Sequence, residues 1–173
     1  MDTNPSHTNQ TTQHLQLVSF TVGSEVFAGD ILCVQEIIRL RALTKVPMSP
    51  EGVEGVLNLR GRVIPVLDLR TQFGIPGTQA SDESRIVVVV VQGNTVGCIV
   101  DSVHEVLTID RSVIEDTPTM ATSVDTSYVS GVAKLDDQLL ILLDLNYVLS
   151  EQSLNKLVVM GTQIDNAGSG TAA

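Results

Sequence analysis

The central part of the chain consists of short runs in which apolar and polar residues alternate, separated by glycine-containing turns. The clearest run is GVLNLRGRVIPVLDLR at residues 55–70, where the alternation continues on both sides of an Arg-Gly-Arg corner. A period of two places every second side chain on one face of a strand, so this segment is predicted to form a β-hairpin. Further turns are predicted at Gly23-Ser24 and at Gly93-Asn94. The pattern predicts a protein of short antiparallel strands.

The hydrophobic pattern occurs twice along the chain. Segments 20–38 and 89–107 share the order strand, turn, strand and acidic-apolar stretch, at an offset of 69 to 70 residues. The hairpin at 55–70 recurs at 131–146 as GVAKLDDQLLILLDLN, 76 residues later. A long period that occurs only twice fits a pair of similar small β-units better than a repeat array. About five short strands with close turns in each unit are typical of small antiparallel barrels.

The duplication sets the expected domain boundaries. We predict one ordered domain over residues 15–160, with two pseudo-repeated barrel units at about 15–80 and 81–150. The polar, low-complexity ends, 1–14 and 161–173, are predicted to be disordered because they hold too few apolar residues to join a core.

Short helices are predicted where the period of two ends. After each hairpin the spacing of apolar residues lengthens toward 3.6, at 69–73 and at 146–149. A C-terminal helical segment is expected at 153–160, before Gly161. The polar stretch 75–85 is expected to link the two units.

Composition narrows the range of functions. The chain is 43% hydrophobic but only 3% aromatic and has no tryptophan, so its core is expected to be aliphatic. A net charge of −10 argues against nucleic acids and anionic lipid surfaces as partners, since both attract clustered basic residues. The N-terminus lacks the features of a signal peptide, and the longest aliphatic run, residues 86–91, is far too short to cross a bilayer. We therefore expect a cytoplasmic protein without membrane insertion.

Signals for catalysis or metal binding are weak. Cys33 and Cys98 each lie alone in an apolar stretch and are predicted to be buried free thiols in a reducing compartment. His7 and His14 lie in the N-terminal tail, and His104 lies in a strand-like stretch. Because no base is placed beside a nucleophile by any recognisable motif, the sequence predicts neither an enzyme nor a metal or cofactor site.

The two copies of the hairpin share residues that the fold is expected to require. Gly55 corresponds to Gly131, and Asp68 corresponds to Asp144. We interpret the glycines as positions of special backbone shape and the aspartates as helix caps. Pro65 lies within the return strand and has no N–H to donate, so that strand is expected to meet a sheet edge or a bulge there.

The hairpin tip differs between the copies and is the first candidate binding site. Arg60 stands where the second copy has Asp136, so the barrel does not require an arginine at this position. Strand alternation places Asn58 and Arg60 on the same outward face, roughly 7 Å apart. Two interpretations remain open from the pattern alone: a solvated surface arginine, or an arginine that binds carboxylates or carbonyls of a partner.

Four strings of residues together resemble the CheW family, the coupling proteins of bacterial chemosensory arrays. They are VQEI at 34–37, GVLNLRGRVIPVLDLR at 55–70, VGCIVDSVHEVL at 96–107 and LILLDL at 140–145. The resemblance extends over about residues 15–150. It implies an all-β fold of two intertwined five-stranded SH3-like β-barrel subdomains with short helices, in agreement with the duplication.

The resemblance also implies a function. Members of this family are non-catalytic adaptors, without cofactors, that join the regulatory domain of the histidine kinase CheA to the cytoplasmic tip of chemoreceptors. Carried over by position, the receptor contacts fall on seven residues: Val34, Glu36, Gly55, Asn58, Arg60, Gly97 and Val106. Gly55 and Gly97 could also be needed for backbone shape alone. Kinase contacts are expected at apolar barrel ends, without assignment to particular residues.

Alternatives remain within and outside this family. The chain could be a CheW-like regulatory module of a non-flagellar pathway, such as twitching motility, surface sensing or second-messenger control. It could also be a CheW-like domain of a larger kinase or receiver-bearing protein, or a barrel that binds a ligand. A barrel that binds nucleic acid is disfavoured, because only two tyrosines and three phenylalanines are available to stack on bases.

Overall fold

A computed structural model describes residues 13–49, 52–76, 80–116 and 128–148 of the chain. Three parts of the sequence-based prediction lie outside the described residues: most of the N-terminal tail, the helical segment at 153–160 and the C-terminal tail at 161–173. The prediction that His14 lies in the disordered tail was wrong, because His14 begins the first strand. Within the described ranges, neither helix is long and apolar enough to cross a membrane.

The described residues form eleven strands and two short helices. In chain order the strands are β1 (His14–Val22), β2 (Glu25–Asp30), β3 (Val34–Arg39), β4 (Val53–Leu59), β5 (Arg62–Asp68), β6 (Arg85–Val91), β7 (Asn94–Val100), β8 (Ser102–Asp110), β9 (Ile114–Glu115), β10 (Val129–Leu135) and β11 (Gln138–Leu143). Helix α1 (Leu69–Phe73) follows β5, and helix α2 (Leu145–Val148) follows β11. The helix predicted at 69–73 is confirmed, and the second helix begins one residue before its predicted start.

The strands form two sheets. The five-stranded sheet combines β3, β4 and β5 of the first sequence unit with the opening hairpin of the second unit, β6–β7, and the six-stranded sheet combines later strands of the second unit with the opening hairpin of the first, β1–β2. The five-stranded sheet has the order β3-β6-β7-β5-β4, and the six-stranded sheet has the order β8-β1-β2-β11-β10-β9. The exchanged hairpins dock through parallel pairings, β5 with β7 and β11 with β2. This exchange confirms the intertwined all-β fold; the two-residue β9 adds a sixth strand to one sheet. The boundary between the two repeated units near residue 80 stays a prediction, since each sheet contains strands from both sides of that residue.

The main hydrophobic core lies between the two sheets. It includes Phe27 of β2 and Leu143 of β11 on one side, and Val96 of β7 with Phe73 of α1 on the other. The rings of Phe27 and Phe73 lie 5.2 Å apart. Each sheet also encloses a smaller aliphatic cluster of its own. Because the largest cluster is shared, neither sheet buries its apolar surface without the other.

The aspartates that occur at the same position in both hairpins have the predicted local role. The Asp68 carboxylate accepts a hydrogen bond from the Arg70 backbone N–H at 2.9 Å, and Asp144 accepts one from Asn146 N–H at 3.0 Å. Both aspartates therefore cap the helix that follows their hairpin. The sheet edge or bulge predicted at Pro65 was wrong, because β5 lies between β7 and β4. Pro65 stands one residue before the parallel pairing of β5 with β7, which begins at Val66, so its missing donor falls at the end of that ladder.

The hairpin turns adopt left-handed backbone conformations. The turn at Gly23-Ser24 is as predicted. The turn after β6 falls on Gln92 and Gly93, one residue before the predicted Gly93-Asn94, and both residues have positive φ (51° and 78°). A two-residue type I′ turn requires positive φ at both central positions, and Asn94 is free to begin β7.

The cysteines are free and differ in exposure. Cys98 lies in the shared core, only 2% exposed, and burial raises its pKa to about 12. Cys33 is half-buried, and desolvation together with the charges of Asp30 and Asp144 raises its pKa. The prediction of a buried thiol is confirmed for Cys98. It was wrong for Cys33, which is only partly buried because it lies in a 3₁₀ turn packed against the edge of the core. Among the described residues, no group of three or more His, Cys, Asp or Glu side chains is placed to hold a metal ion.

Candidate functional site

Most of the predicted receptor contacts share one sheet. Six of the seven lie on or beside the five-stranded sheet: Val34 and Glu36 on β3, Gly55 and Asn58 on β4, Arg60 in the turn after β4, and Gly97 on β7. The seventh, Val106, lies on β8 of the six-stranded sheet and is 55% exposed. The three polar members of the set, Glu36, Asn58 and Arg60, therefore all belong to the five-stranded sheet or to its β4–β5 turn.

The two charged members of this set bind each other. Arg60 Nη2 donates a hydrogen bond to Glu36 Oε2 at 2.7 Å. The Arg60 side chain is 72% exposed, whereas that of Glu36 is only 19% exposed. Since β3 and β4 are the two outer strands of the sheet, this ion pair connects its opposite edges. Sequence reasoning had treated the two side chains separately; their opposite charges were the one available signal, but a separation of 24 residues gave no reason to pair them.

Arg60 lies in the turn and not in the strand, which changes the predicted geometry. Its φ is 53° and that of Gly61 is 82°, as a two-residue type I′ turn requires. Asn58 Oδ1 accepts a hydrogen bond from the Gly61 backbone N–H at 3.0 Å. The prediction that Asn58 and Arg60 stand side by side on a strand face was therefore wrong: Asn58 supports the turn, and Arg60 projects from it.

The two glycines of the set occupy crowded, buried positions. A Cβ on Gly55 would lie 2.6 Å from the Thr44 carbonyl oxygen, and one on Gly97 would lie 2.9 Å from Ile86 Cγ2. A Cβ on Gly131, the counterpart of Gly55, would lie 2.6 Å from Ile114 Cγ2 and 3.2 Å from the Glu115 carbonyl oxygen. Both positions thus require glycine for close packing, which is sufficient to explain these residues without a partner; as receptor contacts they stay a prediction.

We expect alanine at Gly55 to destabilise the protein by about 1–3 kcal/mol, because the methyl group would push apart the backbones that meet at Thr44 and Val56. Gly131→Ala should cost a similar amount. Urea denaturation measures both free energies of unfolding. Thr108→Ala, at an exposed strand position, is the control and should change stability by no more than about 0.5 kcal/mol. An unchanged midpoint for Gly55→Ala would contradict the packing argument.

A buried ion pair that sequence reasoning missed ties the two sheets together. Arg70 of α1 is 5% exposed, and its Nη2 lies 3.2 Å from Asp101 Oδ1. Asp101 directly follows β7, and its Oδ2 accepts a hydrogen bond from Gly23 N–H at 2.6 Å. Gly23 lies in the β1–β2 turn, which belongs to the six-stranded sheet. One carboxylate therefore joins an arginine beside the five-stranded sheet to a turn of the other. Arg70 and Asp101 both lie in sequence strings that resemble the CheW family, at 55–70 and 96–107, and this was the signal in the sequence that could have drawn attention to them.

Comparison with known proteins gives consistent matches over most of the chain. The family model of the CheW-like domain matches residues 16–153. The chain is 36% identical over 140 residues to "Chemotaxis protein CheW" of Klebsiella aerogenes, covering 80% of this chain and 84% of that protein. It is 32% identical over 143 residues to the protein of the same name from Bacillus subtilis, covering 83% and 92%. The crystal structure of the scaffolding protein TtCheW from Thermoanaerobacter tengcongensis superposes with a TM-score of 0.75 and 38% identity, covering 86% of this chain and 96% of that one.

Proposed function

Because the chain belongs to the CheW family, we propose that it is a non-catalytic adaptor that couples chemoreceptors to the histidine kinase CheA in a bacterial chemosensory array. The observation that carries the proposal is the family match over residues 16–153, within which the string NLRG places Arg60 at an exposed hairpin tip. The curated relatives described above carry chemotaxis names, which favours this role over a barrel that binds a small ligand.

The receptor surface is proposed to centre on the Glu36–Arg60 pair. A guanidinium carries five N–H donors in a planar fork, and the bond to Glu36 uses one terminal nitrogen. Donors therefore remain for carbonyl or carboxylate oxygens on a receptor. The partly buried Glu36 holds the guanidinium in place before the partner arrives, which lowers the conformational entropy lost on binding. Val34, Asn58 and the more distant Val106 are proposed to complete the surface.

The kinase is proposed to bind elsewhere, through its regulatory domain and an apolar surface. Simultaneous binding of receptor and kinase on separate surfaces is what an adaptor requires. Since both partners act on the cytoplasmic side, we propose that the protein is cytoplasmic and is recruited to membrane-bound arrays through the receptors.

We expect the protein to bind the isolated kinase regulatory domain in the absence of receptor and without phosphorylation of either protein. Because the proposed kinase interface is mainly apolar, the affinity should change little between low and high salt, since screening acts mainly on exposed charges. Titration calorimetry at two ionic strengths measures this. A receptor fragment added to the preformed complex should then bind without displacing the kinase. Absence of kinase binding at both salt concentrations would refute the adaptor proposal.

A further inference from the structure

The two sheets correspond strand by strand, and their outer strands share an irregularity. The order β8-β1-β2-β11-β10 in one sheet matches β3-β6-β7-β5-β4 in the other. Strand β3 has a register shift between Val34 and Glu36. Strand β8 has one residue more than β1 between Val103 and Val106, the stretch that contains Glu105. The strings VQEI and VHEV thus place Glu36 and Glu105 at equivalent points, each beside a bulge.

The surroundings of the two glutamates differ in charge. Glu36 is bound by Arg60, at the tip of the β4–β5 hairpin. The corresponding β10–β11 tip carries Asp136 and Asp137. In the six-stranded sheet the outer strand and the hairpin tip therefore face each other with carboxylates on both sides, where the other sheet has an ion pair.

An open groove of about 710 Å³ lies between β8 and the β10–β11 tip. Apolar side chains line it, among them Val26, Leu107, Leu135 and Leu140, and Glu105 and Asp136 stand on its two sides. A neighbouring cavity shares Val26, Asp137 and Gln138 with it and adds Glu25 and Leu139, the latter 56% exposed. We call the surface formed by these two adjoining cavities, with Glu105 at one end and Leu139 at the other, the acidic groove.

The charges of the acidic groove are of one sign. Its ionisable side chains are Glu25, Glu105, Asp136 and Asp137, together with His104, which shares a hydrogen bond with Thr21. Among the described residues that line it, there is no lysine or arginine. Carboxylates gathered around an apolar floor favour a cationic ligand that also carries apolar groups.

We propose that the acidic groove binds a partner protein through a segment in which an arginine is flanked by apolar side chains. The partner's guanidinium takes the position beside Glu105 that Arg60 takes beside Glu36 in the other sheet. Its apolar neighbours cover the floor formed by Val26, Leu107 and Leu135. Glu36 is thus paired with an arginine of the same chain, whereas Glu105 is paired with an arginine of the partner. This surface lies on the other sheet from the Glu36–Arg60 pair; of the residues proposed for the receptor surface, Val106 is its neighbour, between Glu105 and Leu107 on β8.

The hairpin that supplies Arg60 provides the probe. A cyclised peptide with the sequence of residues 57–64, LNLRGRVI, carries an arginine between apolar residues, and we expect the full chain to bind it with a dissociation constant of roughly 100 μM in low salt. Fluorescence anisotropy of the labelled peptide measures the binding. A peptide with glutamine at its first arginine should bind at least about tenfold more weakly.

Two variants of the chain test the location of the site. Asp136→Arg introduces the residue of the first copy, so the new side chain should pair with Glu105, close the groove and weaken peptide binding at least about tenfold. The backbone accepts it, since φ is 51° at Asp136 and 53° at Arg60. Glu105→Gln should weaken binding in the same direction. The matched control, Asp82→Asn with Glu83→Gln, removes two charges from an exposed turn and should change the affinity less than about twofold.

Three results would overturn the proposal. The first is no saturable binding of the peptide at about 1 mM, a concentration at which even a weak site is occupied. The second is unchanged affinity in both Asp136→Arg and Glu105→Gln. The third comes from sedimentation equilibrium: if the wild-type chain self-associates and Asp136→Arg abolishes this, the occupant is a second copy and not a different protein.

Discussion

Replacement of Arg60 by aspartate is expected to abolish receptor-dependent activation of the kinase while kinase binding continues. In the proposed complex, receptor oxygens that accept from the guanidinium would lose their donor and face a new negative charge. Loss of one side of a desolvated charged contact costs about 2–5 kcal/mol, which is a loss of affinity of about thirtyfold or more. The measurement is kinase activity in the presence of receptor and of the variant, together with a pull-down of the kinase.

The fold should tolerate this change with a small loss of stability. Asp136 already occupies the equivalent turn position with nearly the same φ, so the backbone is suited to aspartate. The substitution does remove the Glu36–Arg60 pair, and because the guanidinium is 72% exposed, that loss is worth about 0.5–1 kcal/mol. A melting curve should therefore show a folded protein slightly less stable than the wild type.

Arg62→Asp is the matched control for this experiment. Arg62 is an exposed arginine of the same hairpin, two residues away, and the substitution changes the net charge equally. We expect it to retain most of the receptor-dependent activation. If Arg60→Asp activates like the wild type, the receptor surface is wrongly placed. If both variants lose activation to the same extent, general charge and not the Arg60 site determines receptor binding.

Replacement of Arg70 by leucine is expected to have the largest effect on stability, a loss of about 3–5 kcal/mol. The Arg70 side chain is 7% exposed, and its partner Asp101 is only 20% exposed. Removing the arginine leaves a largely desolvated carboxylate without its cation, and breaking one side of a buried pair is strongly destabilising. For a domain whose free energy of unfolding is about 5–15 kcal/mol, this is about a fifth of that free energy or more. Urea denaturation measures it.

The second copy of the hairpin provides the control for Arg70. The residue 76 positions later is Asn146, which is exposed, and Asn146→Leu should change stability by less than about 0.5 kcal/mol. Adding Asp101→Asn to Arg70→Leu should recover part of the loss, because the amide oxygen can still accept from Gly23 N–H without a buried charge. A loss below about 1 kcal/mol for Arg70→Leu would mean that the pair contributes little to holding the sheets together.

Local features of this fold were predictable because they depend on neighbouring residues. Alternation of apolar residues placed the strands, and Gly23-Ser24 placed the first turn. Asp68 and Asp144 cap helices because a carboxylate two residues before a free N–H is within reach in any context. The duplication indicated two related units, and the strings of the CheW family indicated the exposed Arg60.

The pairings between distant segments could not be predicted, because a repeat in sequence does not specify which hairpin joins which sheet. The exchange of β1–β2 and β6–β7 between the units depends on burying the shared core around Phe27 and Val96. That exchange brings the β1–β2 turn to Asp101, and the curling of the five-stranded sheet brings Glu36 to Arg60. The residues and their local conformations thus follow from the sequence, whereas their partners follow from how the strands pack, since contacts across 24 to 78 residues form only when the sheets close.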